Sequence, residues 1–215
     1  MALLEEDIEV VNVRRRQDRS IATRRKIIKA ATKEFSKAGF DGVTTRSIAK
    51  RADVPHGSVI YHFDSKLGVW KAVMEGVINE FHSAFENTLK EFKGAGEVEK
   101  LKAFQRRFIE LTASHPQYNW LMSQESGEGS KRLSWLIKNI VGRDIEEIIQ
   151  LIERVQKLGK YVEGDPTHLH YLFVGAASRI FMLSGEVERT MKVSPFKKEF
   201  VDKHIRLCEQ LFFRE

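Results

Sequence analysis

The 215-residue sequence predicts an all-α protein of about nine helices. Only 14 glycines and 4 prolines interrupt it. Apolar residues return at steps of three and four over long stretches, while the period-two alternation of a half-buried strand is hard to find. With 42% of residues hydrophobic, the chain can bury a sizeable core, as one large domain or as a small one beside a larger one.

Residues 1–13 mix acids with Leu, Ile and Val and read as disordered or as a short frayed helix. Arg14, Arg15, Arg16 and Arg19 follow as a basic arm, so residues 1–19 are expected to be a flexible N-terminal segment. The first helix is expected over 20–38, on Ile27, Ala31 and Phe35 at steps of four, with Gly39 as the left-handed residue beyond its end. Thr44 is a natural N-cap for a short second helix, Thr45–Arg51. A tight turn at Asp53-Val54-Pro55 places Asp53 where positive φ is needed, which Asp tolerates better than most residues. A third short helix then runs from His56 to His62.

Asp64 reads as the N-cap of a long fourth helix with apolar residues at Leu67, Trp70, Met74, Val77, Phe81 and Phe85. The run Lys93-Gly94-Ala95-Gly96 ends it. Further helices are expected over 97–114, 116–126 and 130–158, separated by His115-Pro116 and by a Gly127-Glu128-Gly129 turn. Asp165-Pro166 and Ser194-Pro195 each pair a capping residue with proline at the first helical position, opening helices over 166–184 and 195–213.

The charge is uneven. Residues 1–11 carry four acids and no base; residues 12–66 carry fourteen Lys or Arg against five Asp or Glu, a net of +9; residues 67–215 carry a net of only +1. The positive excess therefore lies beside the two short helices joined by a tight turn. That is the charge distribution of a head facing a polyanion on a near-neutral body.

The stretch 44–66 reads as a helix-turn-helix. Ile48, Ala49 and Ala52 supply the core of its first helix, Val54 the turn, and Val59 and Phe63 the inner face of the second. Thr44 and Thr45, at a helix N-terminus, are candidates for phosphate contact, with Arg46, Tyr61, His62 and Lys66. Base edges fall to His56, Ser58 and Tyr61, and Gly57 leaves room for close approach. Arg14–Arg19 can lie along an adjacent minor groove.

Residues 23–70 resemble the N-terminal domain of the TetR family of bacterial transcriptional regulators. The matching run is Thr23-Arg24-x-x-Ile27, Ala30-Ala31, Phe35, Gly39-Phe40, Thr44-Thr45, Ile48-Ala49, Ala52, Val54, Gly57, Tyr61-His62-Phe63 and Lys66. Asp53, Pro55 and Ile60 depart from the family's usual glycine, capping residue and tyrosine. The resemblance implies a DNA-binding domain over 20–66, a helical ligand-binding and dimerisation domain over 67–215, and repression as the default mode. It implies a homodimer through the helices at 166–184 and 195–213, which the small-residue patch Gly175-Ala176-Ala177-Ser178 independently allows. Two copies of the head predict a pseudo-palindromic double-stranded operator.

An apolar cavity for a small effector is the weaker expectation. Its candidate lining is Phe81, Phe85, Phe104, Arg107, Phe108, Tyr118, Trp120, Met122, Trp135 and Phe173. A ligand there would tilt the fourth helix and change the separation of the two heads. A regulator of the same shape that answers to a protein partner, or acts constitutively, is the alternative. An enzyme is disfavoured: His168 and His170 point to opposite sides of a helix, Gly127-Glu128-Gly129 is an isolated fragment of a nucleotide fingerprint, and Cys208 with His204 is a weak nucleophile pair. No cofactor or metal is expected. No apolar run approaches the roughly 20 residues that span a bilayer. The lone Cys208 and the acidic start lead to a cytoplasmic expectation.

Overall fold

The structure, a computed structural model, describes the backbone of residues 2–125, 131–138 and 142–215, with side chains described from residue 17 onward, apart from residues 142–144. Eleven α-helices occur among them: α1 (Ala2–Ala38), α2 (Thr45–Ala52), α3 (His56–Phe63), α4 (Lys66–Glu91), α5 (Glu97–Ser114), α6 (Pro116–Glu125), α7 (Lys131–Leu136), α8 (Gly142–Lys157), α9 (Pro166–Met182), α10 (Ser184–Met191) and α11 (Lys198–Phe212). The chain divides into two compact units, Met1–Met74 and Glu75–Glu215.

In the first unit α1 packs on α2 and α3, around Ile27, Ala31, Phe35, Ile48 and Val59. Val69, Trp70, Val73 and Met74, from the first turns of α4, are buried too. Phe40 bridges the two ends of this core: it stacks on Phe35 at 6.0 Å and meets Trp70 edge-on at 6.3 Å.

In the second unit α5, α8, α9 and α11 enclose a core that includes Leu101, Phe104, Ile109, Leu151, Val155, Phe173, Phe181 and Ile205. The chain end is pinned to the α8–α9 connection. Val162 N–H donates to Phe212 O at 2.8 Å, and Arg214 N–H donates to Lys160 O at 3.1 Å. Beneath them Tyr161 is 2% exposed, and its hydroxyl accepts from Gln105 Nε2 at 2.7 Å.

Five elements differ from expectation. Helix α1 starts at Ala2, far upstream of Ser20, because no glycine or proline stops a run rich in Leu, Glu and Arg. Helix α4 is capped by Ser65, not Asp64: Gly68 N–H donates to Ser65 Oγ at 3.1 Å, while Asp64 sits at φ 61 as the end of α3. The single helix expected over 130–158 is α7 and α8, and the Gly127-Glu128-Gly129 turn lies outside the described residues. Helix α11 begins at Lys198 because Ser194 and Pro195 form a turn, in which Lys197 N–H donates to Ser194 O at 3.3 Å and Phe196 stacks on Phe181. The intervening α10 buries none of its residues, so no apolar stripe marks it in the sequence.

Candidate nucleic-acid interface

The geometry of the head starts with Thr44. Its extended backbone (φ −121°, ψ 156°) stops the chain before α2, and its hydroxyl accepts from Ser47 N–H at 3.0 Å. Ser47 reciprocates, accepting from Thr44 N–H at 3.2 Å. This capping box fixes the N-terminus of α2. At the other end Asp53 adopts the left-handed conformation (φ 54°, ψ 53°), and Val54 N–H returns to Ala49 O at 3.1 Å. Pro55 then caps α3 with φ −58° and no side-chain hydrogen bond.

This turn aims α3. Val59 and Phe63 are buried against α1 and α2, which leaves His56, Gly57, Ile60 and Tyr61 exposed and Ser58 and His62 half-buried. Tyr61 is 81% exposed, its ring meeting His62 edge-on at 5.1 Å. A Cβ added at Gly57 would meet nothing within 4 Å, so the protein itself does not require a glycine there. Thr45 Oγ1 and His56 Nε2 lie 3.0 Å apart, joining the first residues of α2 and α3. Arg46 projects to solvent from the first turn of α2.

Lys66, expected at a phosphate, has a partner within the chain as well. Its Nζ donates to Phe40 O at 3.0 Å and lies 4.2 Å from the centre of the Phe40 ring. It therefore ties the start of α4 to the α1–α2 loop. Sequence reasoning missed Gly68 and the placement of Arg24. A Cβ on Gly68 would come within 2.0 Å of Phe63 O, so only glycine permits the close α3–α4 corner. The Arg24 guanidinium lies 5.1 Å over Phe63, bringing a cation of α1 to the end of α3. Arg51 forms an ion pair with Glu34 of α1. Side chains of Arg14, Arg15 and Arg16 lie outside the described residues.

In the second unit, six of the ten expected pocket residues form a chain of ring contacts. Phe85 meets Phe104 at 5.1 Å, Phe104 meets Phe108 at 6.4 Å, and Phe108 meets both Phe81 at 5.5 Å and Phe173 at 5.7 Å. Phe81 reaches Tyr118 at 6.4 Å. Met122 and Trp135 are half-buried, while Trp120 is 40% exposed and Arg107 faces solvent beside Glu110. A polar group borders the rings. His115 stacks on Tyr118 at 4.9 Å, and its Nδ1 lies 3.5 Å from Glu80 Oε1. Burial, and donation of its hydroxyl to Glu80, push Tyr118 up to about 12. His115 Nδ1 and Asn119 Nδ2 are buried without a hydrogen-bond partner. An open groove of about 720 Å³ lies elsewhere, lined in part by Glu110, Ser114, Phe196, Lys198 and Asp202.

The side chains considered for enzyme chemistry are not arranged for it. His168 is exposed and His170 is buried, on opposite sides of α9. Cys208 Sγ is 3.8 Å from His204 Nε2, but burial pushes the thiol up to about 11 and the imidazole down, opposite to an activated pair. Among the described residues no cluster could hold a metal ion, and no helix is long and apolar enough to cross a membrane.

A capped helix, a left-handed turn and a second helix with its outer face bare define a helix-turn-helix DNA-binding regulator carried on a helical body. Residues 27–73 match the family model described as bacterial regulatory proteins, tetR family. The chain is 25% identical over 174 residues to the HTH-type transcriptional regulator RutR of Escherichia coli K12, covering 80% of this chain and 81% of that one. It is 37% identical over 70 residues to the probable HTH-type regulator YttP of Bacillus subtilis, about a third of each chain. Its fold is similar to that of the ketosteroid transcriptional regulator KstR2 of Mycobacterium tuberculosis, with TM-score 0.71 and 15% identity, over 89% of this chain and 95% of that one. Its head, over residues 27–73, is thus similar to that of the TetR family of bacterial regulatory proteins.

Proposed function

We propose that the protein binds a pseudo-palindromic DNA operator as a homodimer, acts as a repressor in the cytoplasm, and leaves the operator when a small, mostly apolar effector occupies the body. The observation that carries the DNA reading is the bare outer face of α3, with His56, Ser58 and Tyr61 beside the capped N-terminus of α2. In this reading Thr44, Thr45, Arg46, Tyr61 and His62 meet phosphates, the segment 20–66 is the DNA-binding domain, and 67–215 is the ligand-binding and dimerisation domain.

The dimer reading is supported by an apolar stripe that the second unit leaves uncovered. On α9 and α11 the expected interface residues divide: Phe173, Ala177, Phe181, Ile205 and Phe212 are buried in the chain's own core, while Leu172, Gly175, Leu207 and Leu211 face solvent. Such a stripe on two adjacent helices suits a four-helix interface. The effector reading is supported by the linked rings of Phe81, Phe104, Phe108 and Tyr118, bordered by His115 and Asn119, each with a buried polar atom that has no hydrogen-bond partner.

Selection from a random duplex pool by the purified protein tests the function. The expected winner has two inverted half-sites about one helical turn apart. Its affinity falls steeply with salt as phosphate contacts release counterions. A flat salt response, or no enriched sequence, overturns the reading.

A further inference from the structure

The contact between Thr45 and His56 crosses the turn of the helix-turn-helix and joins the first residue of α2 to the first residue of α3. We propose that Thr45 is a positioning residue that fixes the tautomer of His56, so that the recognition helix presents Nδ1 as a hydrogen-bond acceptor and selects a base pair offering an amino group, adenine N6 or cytosine N4. This rests on the DNA-binding reading above and names what one residue of that site recognises.

A threonine hydroxyl has one proton to give and lone pairs to accept with. Thr45 stands at the N-terminus of α2, where the helix's unpaired N–H groups and dipole favour a phosphate. The Thr44 oxygen already accepts from Ser47 N–H at 3.0 Å, so the contact across the turn to His56 falls to Thr45. When the Thr45 hydroxyl donates its hydrogen bond to a phosphate oxygen, Oγ1, 3.0 Å from His56 Nε2, can only accept from the ring. The imidazole must then carry its proton on Nε2. In a neutral ring the other nitrogen is bare, so Nδ1 accepts. Phosphate, Thr45 and His56 thus form one directed chain of hydrogen bonds that ends in an acceptor.

That acceptor has a clear approach. His56 is exposed, and the space beside Gly57 is open to beyond 4 Å. In the major groove the donors are the amino groups of adenine and cytosine, whereas guanine and thymine present acceptors at the equivalent edge. Without the threonine hydroxyl the ring can rotate and exchange tautomers. His56 then offers a donor or an acceptor with little bias, and discrimination at that base disappears while the phosphate contacts elsewhere persist.

The test uses the full chain and the operator selected by the wild type. The base under His56 is the position whose preference His56→Ala erases. Affinity is measured for all four base pairs there, with wild type, Thr45→Val and Thr45→Ser. The wild type is expected to favour adenine or cytosine by about tenfold. Thr45→Val should flatten that preference to about the level of His56→Ala and leave discrimination at other positions intact, and Thr45→Ser should restore it. Nitrogen chemical shifts of the His56 ring in the wild-type complex should report the Nε2–H tautomer, an outcome independent of how well Thr45→Val folds. A wild-type preference for guanine, an Nδ1–H ring in the complex, or an unchanged preference in Thr45→Val overturns the pairing while leaving DNA binding in place. Failure of the wild type to select any sequence overturns the underlying reading and the pairing with it.

Discussion

Thr44→Ala separates the two jobs assigned to one hydroxyl. Its oxygen accepts from Ser47 N–H at 3.0 Å, while its proton remains available to a phosphate. Losing the cap should cost about 1 kcal/mol of stability. Concentrated in a head of this size, that lowers its melting midpoint by roughly 4–8 °C. Losing a hydrogen bond to a charged phosphate should cost a further 1.5–3 kcal/mol per half-site, roughly ten- to a hundredfold or more in affinity. The hydroxyl is neutral, so no counterion is regained and the dependence of log affinity on log salt should keep its slope. Arg46→Gln is the counterpart: it should reduce the slope by about 1 for each phosphate that is no longer neutralised. The assay is fluorescence anisotropy on the selected operator across a salt series, at a temperature where thermal melts show every variant folded. Thr44→Ser should recover both the melting point and the affinity. If Thr44→Ala melts lower yet holds operator affinity within about twofold once folded, the hydroxyl serves the helix alone and the phosphate assignment fails.

Three further outcomes are expected. Tyr161→Phe removes the acceptor of Gln105 Nε2, and Gln105 Oε1 is already buried without a partner, so denaturant melts should lose about 1–3 kcal/mol at unchanged slope; no loss would mean that water reaches the amide. Burial holds His170 below the usual imidazole range, so its neutral form stabilises the fold above the unfolded value near 6.5, and that contribution is lost as pH falls through the depressed folded value. Urea midpoints from pH 7.5 to 5.5 should therefore drop more steeply in the wild type than in His170→Gln. Leu172→Asp combined with Leu211→Glu should sediment as a folded monomer and weaken operator binding at least about tenfold, whereas a variant that remains dimeric places the interface elsewhere.

What the sequence disclosed about the head was local chemistry. A capping residue, a left-handed turn and a C-terminal glycine act on their own few neighbours, so Thr44, Asp53 and Gly39 (φ 67°) could each be read in isolation. The same holds for Asp165, whose Oδ1 accepts from His168 N–H at 2.9 Å ahead of Pro166. Lys66 shows where local reading stops. A lysine in the first turn of a helix is electrostatically unfavourable, and that is a sound reason to look for an acceptor nearby. The nearest candidate on a DNA-binding head is a phosphate. The acceptor in the fold is the carbonyl of Phe40, 26 residues upstream, supported by its ring. Arg24 was hidden in the same way, because its partner Phe63 is distant in sequence and only the packing of α1 against α3 brings them together.

The body was legible to a lesser depth for a physical reason. An apolar stripe tells which face of a helix turns inward, but not whether the rings that meet there close on one another or leave space between them. Phe104 and Trp120 look alike by spacing, yet one is buried among Phe85 and Phe108 and the other is 40% exposed. Polar residues on a buried face leave an even fainter trace. Gln105 and His170 sit at 3% and 6% exposure with an atom each unsatisfied, and neither breaks the helical period that conceals it. An unsatisfied buried donor or acceptor costs free energy comparable to that of a missing hydrogen bond. A ligand that satisfies His115 Nδ1 or Asn119 Nδ2 would therefore gain free energy, and it would be felt on α4, whose Glu80 lies 3.5 Å from His115 Nδ1. Operator affinity then responds only as far as that ligand binds one arrangement of α4 better than another.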